Sequence, residues 1–241
     1  MQKICIVIPC YNEENRFPLK EFEDGYRNTN FYFLFVNDGS KDLTINVLNN
    51  FREGKEDRVF VLNQLQNGGK SEAVRAGMLA AFTISDFDIV GYLDADLATP
   101  LNEVKNITDK IGDNILFAFG SRIKRLGANV SRKWYRHILG RIFATFASLL
   151  LKLGIYDTQC GAKFFHKSIV EIAFSLKFET NWIFDVEIFF RLKKFYKNIN
   201  ISDIAKEVPL QYWVDVEGSK IKISHLFKIP FDLLKLKKHY S

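Results

Sequence analysis

The chain has 241 residues, enough for one large α/β domain or two small ones, and its 47% apolar and 26% charged residues are ordinary for a globular protein. A net charge of +6 suits nucleic acid, an anionic membrane or phosphorylated small molecules. No apolar run approaches the ~20 residues needed to cross a bilayer, which excludes a membrane-spanning helix.

The first half alternates short β-branched or aromatic runs with amphipathic helical patterns. The runs are ICIVI at 4–8, FYFLFV at 31–36, RVFVL at 58–62, DIVGYL at 88–93 and ILFAFG at 115–120. Strands alternating with helices predict an α/β fold with a doubly wound, mostly parallel sheet. Such sheets carry ligand sites beyond the carboxyl ends of their strands, and each run here ends in polar turn formers: PCYNEE, NDGS, NQLQNGGK, DADLATP and SR. From 132 to 153, Trp134, Ile138, Ile142, Phe146, Leu149 and Leu153 recur at helical spacing, with a basic opposite face. A loop around DTQCGAKFF follows, then a helix near 183–195, a strand region comprising NISDI and EVPLQYW, and a last helical segment over 222–239. Nothing forces a domain boundary, so 1–241 is expected to be one domain, with halves at 1–122 and 123–241.

Between Asp113 and Asp157 there is no acidic residue, while Arg122, Lys124, Arg125, Arg132, Lys133, Arg136, Arg141 and Lys152 all fall there. One face is therefore expected to be strongly positive. Phenylalanine occurs 23 times, an unusual number that leaves aromatic surface to be accounted for. The odd set Cys5, Cys10 and Cys160 has neither metal-ligand spacing nor a disulfide framework, which fits a reducing cytoplasm. The N-terminus runs into a strand without a signal-peptide pattern, so a secreted product is not expected.

Asp94 and Asp96 follow the fourth run, and an extended backbone there would put both carboxylates on one side. Such a pair can hold Mg²⁺ or Mn²⁺, with diphosphate oxygens and water completing the shell. Taken alone, D-x-D is also an ordinary turn. Asp38 likewise stands at a strand end, where Gly39 permits a tight turn and Ser40 can cap the next helix. Parallel strands would bring Tyr11, Asn12, Glu13, Asp38, Asp94 and Asp96 to one rim, a coincidence that separate turns do not require.

In this order, VIPCYNEE, VNDGS, NGGK, LDADL and GSR resemble family 2 of the inverting glycosyltransferases with the GT-A fold. DTQCGAK from Asp157, WIFDVE from Trp182 and EVPLQYWVDVEGSK up to Lys220 resemble its dolichyl-phosphate glucosyltransferase and polyprenyl-phosphate glycosyltransferase branch. The resemblance implies that Pro9, Tyr11, Glu13 and Asp38 hold the nucleoside, with Asp94 nearby and Asp96 on the metal. It further implies that Lys70 faces the nucleotide and that Arg122 clamps a phosphate, a contact suited to paired guanidinium bonds. Asp157 and Asp185 are candidates for the reaction centre, and Arg132 and Arg136 for orienting a phosphate acceptor. A sugar hydroxyl would need a general base, whereas a lipid phosphate is already an anion.

The expected reaction moves a hexose, glucose first, from a uridine or guanosine diphosphate sugar, uridine first, to a polyprenyl phosphate, with the nucleotide sugar in 1–122 and the acceptor and membrane facing 123–241. A saccharide hydroxyl is the alternative acceptor. Trp134, Phe143 and Phe146, and the segment containing Leu226, Phe227, Ile229, Phe231, Leu233, Leu234 and Leu236, resemble interfacial amphipathic helices, though either could pack on the core. The expected location is the cytoplasmic face of a membrane, reached by peripheral contact or through a membrane-protein partner or homo-oligomer. A non-catalytic membrane-surface module would not need Asp38, Asp94 and Asp96. Nucleic acid is not expected, because no base-stacking repeat or recognised motif accompanies the charge. A nucleotidyltransferase would carry a glycine-rich basic loop after the first strand, where this chain has PCYNEE.

Overall fold

Alternating apolar runs and amphipathic segments fold into nine strands and nine helices among the described residues of a computed structural model, which are 2–131, 134–215 and 223–240. In chain order these begin with β1 (Ile4–Cys10), α1 (Leu19–Asn28), β2 (Tyr32–Asp38), α2 (Thr44–Arg52), β3 (Val59–Gln64) and α3 (Lys70–Ile84). There follow β4 (Ile89–Tyr92), α4 (Asn102–Thr108), β5 (Phe117–Ser121), β6 (Asn129–Ser131) and α5 (Trp134–Leu151). The chain continues through β7 (Lys163–His166), α6 (Lys167–Phe174), α7 (Phe184–Phe195), α8 (Ile201–Ile204), β8 (Ala205–Pro209), β9 (Tyr212–Val214) and α9 (Ile223–Tyr240).

The first compact unit comprises Met1–Leu97 and Ala162–Lys177. Its strands lie in the order β3-β2-β1-β4-β7, with β1 parallel to β2 and β4, β2 parallel to β3, and β7 antiparallel to β4. The parallel strands β1, β2 and β4 are buried along most of their length, as their unbroken apolar runs require. The antiparallel strand β7 was expected to be loop. Its neighbour must be glycine at position 91, because a Cβ there would stand 2.1 Å from Phe164 Cδ1 and 2.5 Å from the Lys163 carbonyl oxygen.

Much of the phenylalanine excess is accommodated in the core. Phe22 of α1 stands 4.9 Å from Phe17 and 5.0 Å from Phe35 of β2, and Phe35 stands 5.6 Å from Phe51 of α2. Such edge and stacked contacts add to the area these rings bury.

The second unit comprises Ala98–Gly161 and Phe178–Ser241. Within it β5 runs parallel to β8, with Ser121 opposite Pro209, and β6 runs parallel to β9. The residues NISDI, expected as strand, form the single turn α8, because Asn200 accepts a hydrogen bond from Ser202 N and caps it. In α5 the small residues Ala144 and Ala147 are buried with Leu151, while Ile138, Ile142, Phe146 and Leu149 are exposed. On α9, Leu233 and Leu236 pack inward, and Phe231 and Leu234 face out beside exposed Lys228, Lys235, Lys237 and Lys238. The far end of α9 is fastened by Tyr240, whose hydroxyl donates to Glu187 of α7 at 2.8 Å, where Glu187 is already paired with Arg191.

Candidate donor and phosphate sites

Asp38, at the end of β2, organises the glycine-rich loop before α3. Its carboxylate accepts from Gly68 N at 2.7 Å, Gly69 N at 3.0 Å and the Asn67 side-chain amide at 2.9 Å. The Asn67 amide also donates to the Asp38 carbonyl oxygen at 3.0 Å. Burial raises the Asp38 pKa, and the two glycine amides oppose that rise by favouring the anion. The loop lies so close that Gly39, at φ +59°, cannot carry a Cβ, which would meet Asn67 N at 2.5 Å. Asp38 was expected to touch a nucleoside, and its carboxylate also anchors the loop that presents Lys70.

The loop after β1 is fixed to the loop after β2 by reciprocal bonds. Asn12 N donates to Ser40 Oγ at 3.1 Å, Lys41 N donates to the Asn12 side chain at 2.9 Å, and Glu13 N donates to Thr44 Oγ1 at 2.8 Å. Pro9 and Tyr11 flank this junction, both half-buried. The Glu13 carboxylate is paired with Arg16, whose Nε lies 2.5 Å from Oε2 and whose Nη2 lies 2.6 Å from Oε1. That pairing is the largest influence holding the Arg16 pKa up, and the Asp96 carboxylate adds to it. Arg16 escaped the sequence reading, although a basic residue three places after Glu13 was a usable signal.

Strand β4 ends at Tyr92, so Asp94 and Asp96 lie on a turn and not on the extended backbone expected of them. The turn is closed by Leu97 N donating to Asp94 O at 3.1 Å, with Leu97 at φ 49°. Ala95 is buried, Asp94 is half-exposed and Asp96 is exposed. Lys70 Nζ lies 2.5 Å from Asp94 Oδ1, so two expected nucleotide-site residues meet. Among the described residues no group of three or more His, Cys, Asp and Glu side chains is placed to hold a metal ion. Two carboxylates on one exposed turn nevertheless fit Mg²⁺ or Mn²⁺, which take one or two carboxylates and draw their remaining ligands from substrate phosphate and water.

In the second unit Arg122, just beyond β5, makes a two-point pair with Asp157. Its Nε lies 2.6 Å from Oδ2 and its Nη2 lies 2.8 Å from Oδ1, while Arg122 N adds a 3.2 Å bond. Both side chains are largely buried, and the guanidinium carbon stands 5.3 Å from the Trp213 ring. Asp157 was expected near the reaction centre. Here its oxygens are committed to Arg122 and, at 3.1 Å, to Gln159 N. Asp185 lies in the first turn of α7 and is 4% exposed. Arg132 lies outside the described residues. The backbone of Arg136 belongs to α5, and its side chain is outside them too.

Residues 5–173 match the family described as Glycosyl transferase family 2. A dolichyl-phosphate beta-glucosyltransferase of Trichomonas vaginalis is 32% identical over 255 residues, covering 98% of this chain and 73% of that protein. The Homo sapiens dolichyl-phosphate beta-glucosyltransferase is 31% identical, covering 91% of this chain and 70% of its own. Among solved structures, glucosyl-3-phosphoglycerate synthase from Mycobacterium tuberculosis, in complex with Mn²⁺, uridine diphosphate and glucosyl-3-phosphoglycerate, aligns with a TM-score of 0.65 at 14% identity. That alignment covers 99% of this chain and 80% of the other, and it establishes a shared GT-A glycosyltransferase fold. Sequence match, relatives and fold agree, and the chain belongs to glycosyl transferase family 2.

Proposed function

We propose that the protein transfers a hexose, glucose first, from a nucleotide diphosphate sugar to a polyprenyl phosphate at a membrane surface, with inversion at the anomeric carbon. The support that carries this reading is similarity along nearly the whole chain to proteins named dolichyl-phosphate beta-glucosyltransferase. A second support is chemical. Asp157 is tied up by Arg122 in a two-point pair, a poor arrangement for a general base and a good one for an arginine that must be held still. A phosphate acceptor is already anionic and needs the arginine more than the base.

In this reading Pro9, Tyr11, Glu13 and Asp38 line the nucleoside site with Asp94 nearby, Asp38 also holds the loop that carries Lys70, and Asp94 and Asp96 hold Mg²⁺ or Mn²⁺. When bound, that cation supplies positive charge to the departing diphosphate. Lys70 adds charge on the nucleotide side. Arg122, with Arg132 and Arg136, orients the acceptor phosphate, whose oxygen forms a bond to the anomeric carbon as the bond to the nucleoside diphosphate breaks. Asp157, through its pair with Arg122, and Asp185 are the two carboxylates proposed at the reaction centre.

Peripheral membrane contact is supported by the exposed Ile138, Ile142, Phe146 and Leu149 of α5 and the lysine-flanked Phe231 and Leu234 of α9. Among the described residues no helix is long and apolar enough to cross a membrane. The deciding experiment incubates the protein with polyprenyl phosphate in vesicles, uridine and guanosine diphosphate hexoses, and Mn²⁺ or Mg²⁺. A glycosylated polyprenyl phosphate establishes the reading. Product only on added saccharide replaces the acceptor, and no product from any donor refutes the reaction.

A further inference from the structure

The segment 155–157 is held chiefly by side chains from other elements. Ser148 Oγ of α5 donates to Ile155 O at 2.7 Å and accepts from Ile155 N at 3.2 Å, beside one backbone bond from Ile155 N to Leu153 O. Arg141, also of α5, donates to Tyr156 O at 2.5 Å and lies 3.7 Å from the Tyr156 ring centre. From β8, Glu207 accepts Tyr156 N at 2.9 Å on one carboxylate oxygen and Asp157 N at 2.8 Å on the other. The next atoms along this chain of contacts are the Asp157 carboxylate and the Arg122 guanidinium.

We propose that Glu207 is a positioning residue: by gripping two successive amides it sets Asp157, and through Asp157 the Arg122 guanidinium that meets substrate phosphate. This rests on the transferase reading for the role of Arg122, but the mechanical link stands on the contacts alone. Two adjacent N–H groups call for two acceptors on one side chain, and only a carboxylate provides them. A glutamine would satisfy one and turn its own N–H₂ toward the other. Glu207 is kept despite a cost. Partial burial raises its pKa, the amides of Tyr156 and Asp157 oppose that rise, and the Asp157 charge adds to it. The charged groups around it are Asp157, with Arg122 behind it, and Arg141, reached through Tyr156. Arg141 braces the same segment from α5.

The test is Glu207→Gln, with Arg141→Met as a second variant that loosens the segment from its other side. Trp213 labelled with 5-fluorotryptophan, and assigned by Trp213→Phe, reports the nearby guanidinium in ¹⁹F NMR without any substrate. Both variants should move the Trp213 resonance toward its position in Arg122→Met. In the transfer assay both should lower kcat roughly 10- to 100-fold, the scale of a small misplacement of a reacting group. Nucleotide affinity should stay unchanged. An unmoved Trp213 resonance in the folded variants overturns the proposal. So does a kcat within twofold of an active wild type. If the wild type transfers nothing, the transferase reading falls and the ¹⁹F result still decides whether Glu207 places Arg122. If Glu207→Gln does not fold, Glu207→Asp, which keeps both acceptors but draws them back by one methylene, decides by the same two readouts.

Discussion

Asp38→Asn separates a loop anchor from a ligand contact. The carboxylate accepts three hydrogen bonds, from Gly68 N, Gly69 N and the Asn67 amide, and it is 3% exposed. An asparagine keeps one acceptor, on the Gly68 side. On the other side its N–H₂ would face two donors. Rotation of the Asn67 amide recovers one of those contacts, and loss of the buried charge offsets part of the remainder. Net bonds to a charged acceptor are worth about 1.5–3 kcal/mol each, so the variant should lose roughly 2–3 kcal/mol of stability in urea unfolding at pH 7. Donor binding by calorimetry should weaken with it, because Lys70 is presented by the released loop.

The pH dependence has a definite sign. A carboxyl whose folded pKa is raised contributes stability that is fully present below its unfolded value, here 3.8, and is lost as pH rises through the folded pKa. Asparagine does not titrate, so the gap between wild type and variant should widen as pH falls from neutrality toward that value. Normal stability with lost nucleotide binding would mean direct ligand contact and refute the anchor reading. Normal stability with normal binding would refute both roles.

Further outcomes are expected. Lys70→Met should raise Mn²⁺ affinity measured by electron paramagnetic resonance in the absence of nucleotide, because it removes a cation from Asp94; the pair is about 40% exposed and worth at most ~1 kcal/mol, so the gain should not exceed about fivefold. Asp96→Asn, on an exposed turn, should leave the melting temperature unchanged while removing most metal-dependent donor binding in calorimetry. Gly91→Ala should destabilise the protein by about 3 kcal/mol or more in urea unfolding, since its Cβ overlaps Phe164 and the Lys163 carbonyl. Sedimentation with anionic vesicles should capture the protein in a salt-sensitive manner, and Phe146→Asp with Leu149→Asp should weaken capture without changing soluble-nucleotide binding.

The parallel strands and the polar segments at their carboxyl ends were legible because unbroken apolar runs and turn chemistry are local properties. The family motifs marked Asp38, Lys70, Asp94 and Arg122 for the same reason. Their partners were hidden, since Asp38 meets residues about 30 positions away and Asp157 meets Arg122 across 35 and Glu207 across 50. No window of sequence contains such a pairing. Strand β7 was missed because four residues give too short a pattern, and its pairing depends on Gly91, 73 residues before Phe164. NISDI misled because its isoleucines suit a strand, while the decisive feature is the Asn200 cap.

The antiparallel seam between β4 and β7 has a consequence during synthesis. β4 ends at Tyr92 and β7 begins at Lys163, so roughly 70 residues must be added before that edge of β4 finds its partner. At about 5–20 residues per second the wait is on the order of several seconds. For that time a short apolar strand offers unpaired N–H and C=O groups to any neighbouring nascent chain. Slowing the ribosome between these positions should lower the soluble yield, and supplying a chaperone that shields strand edges should restore it.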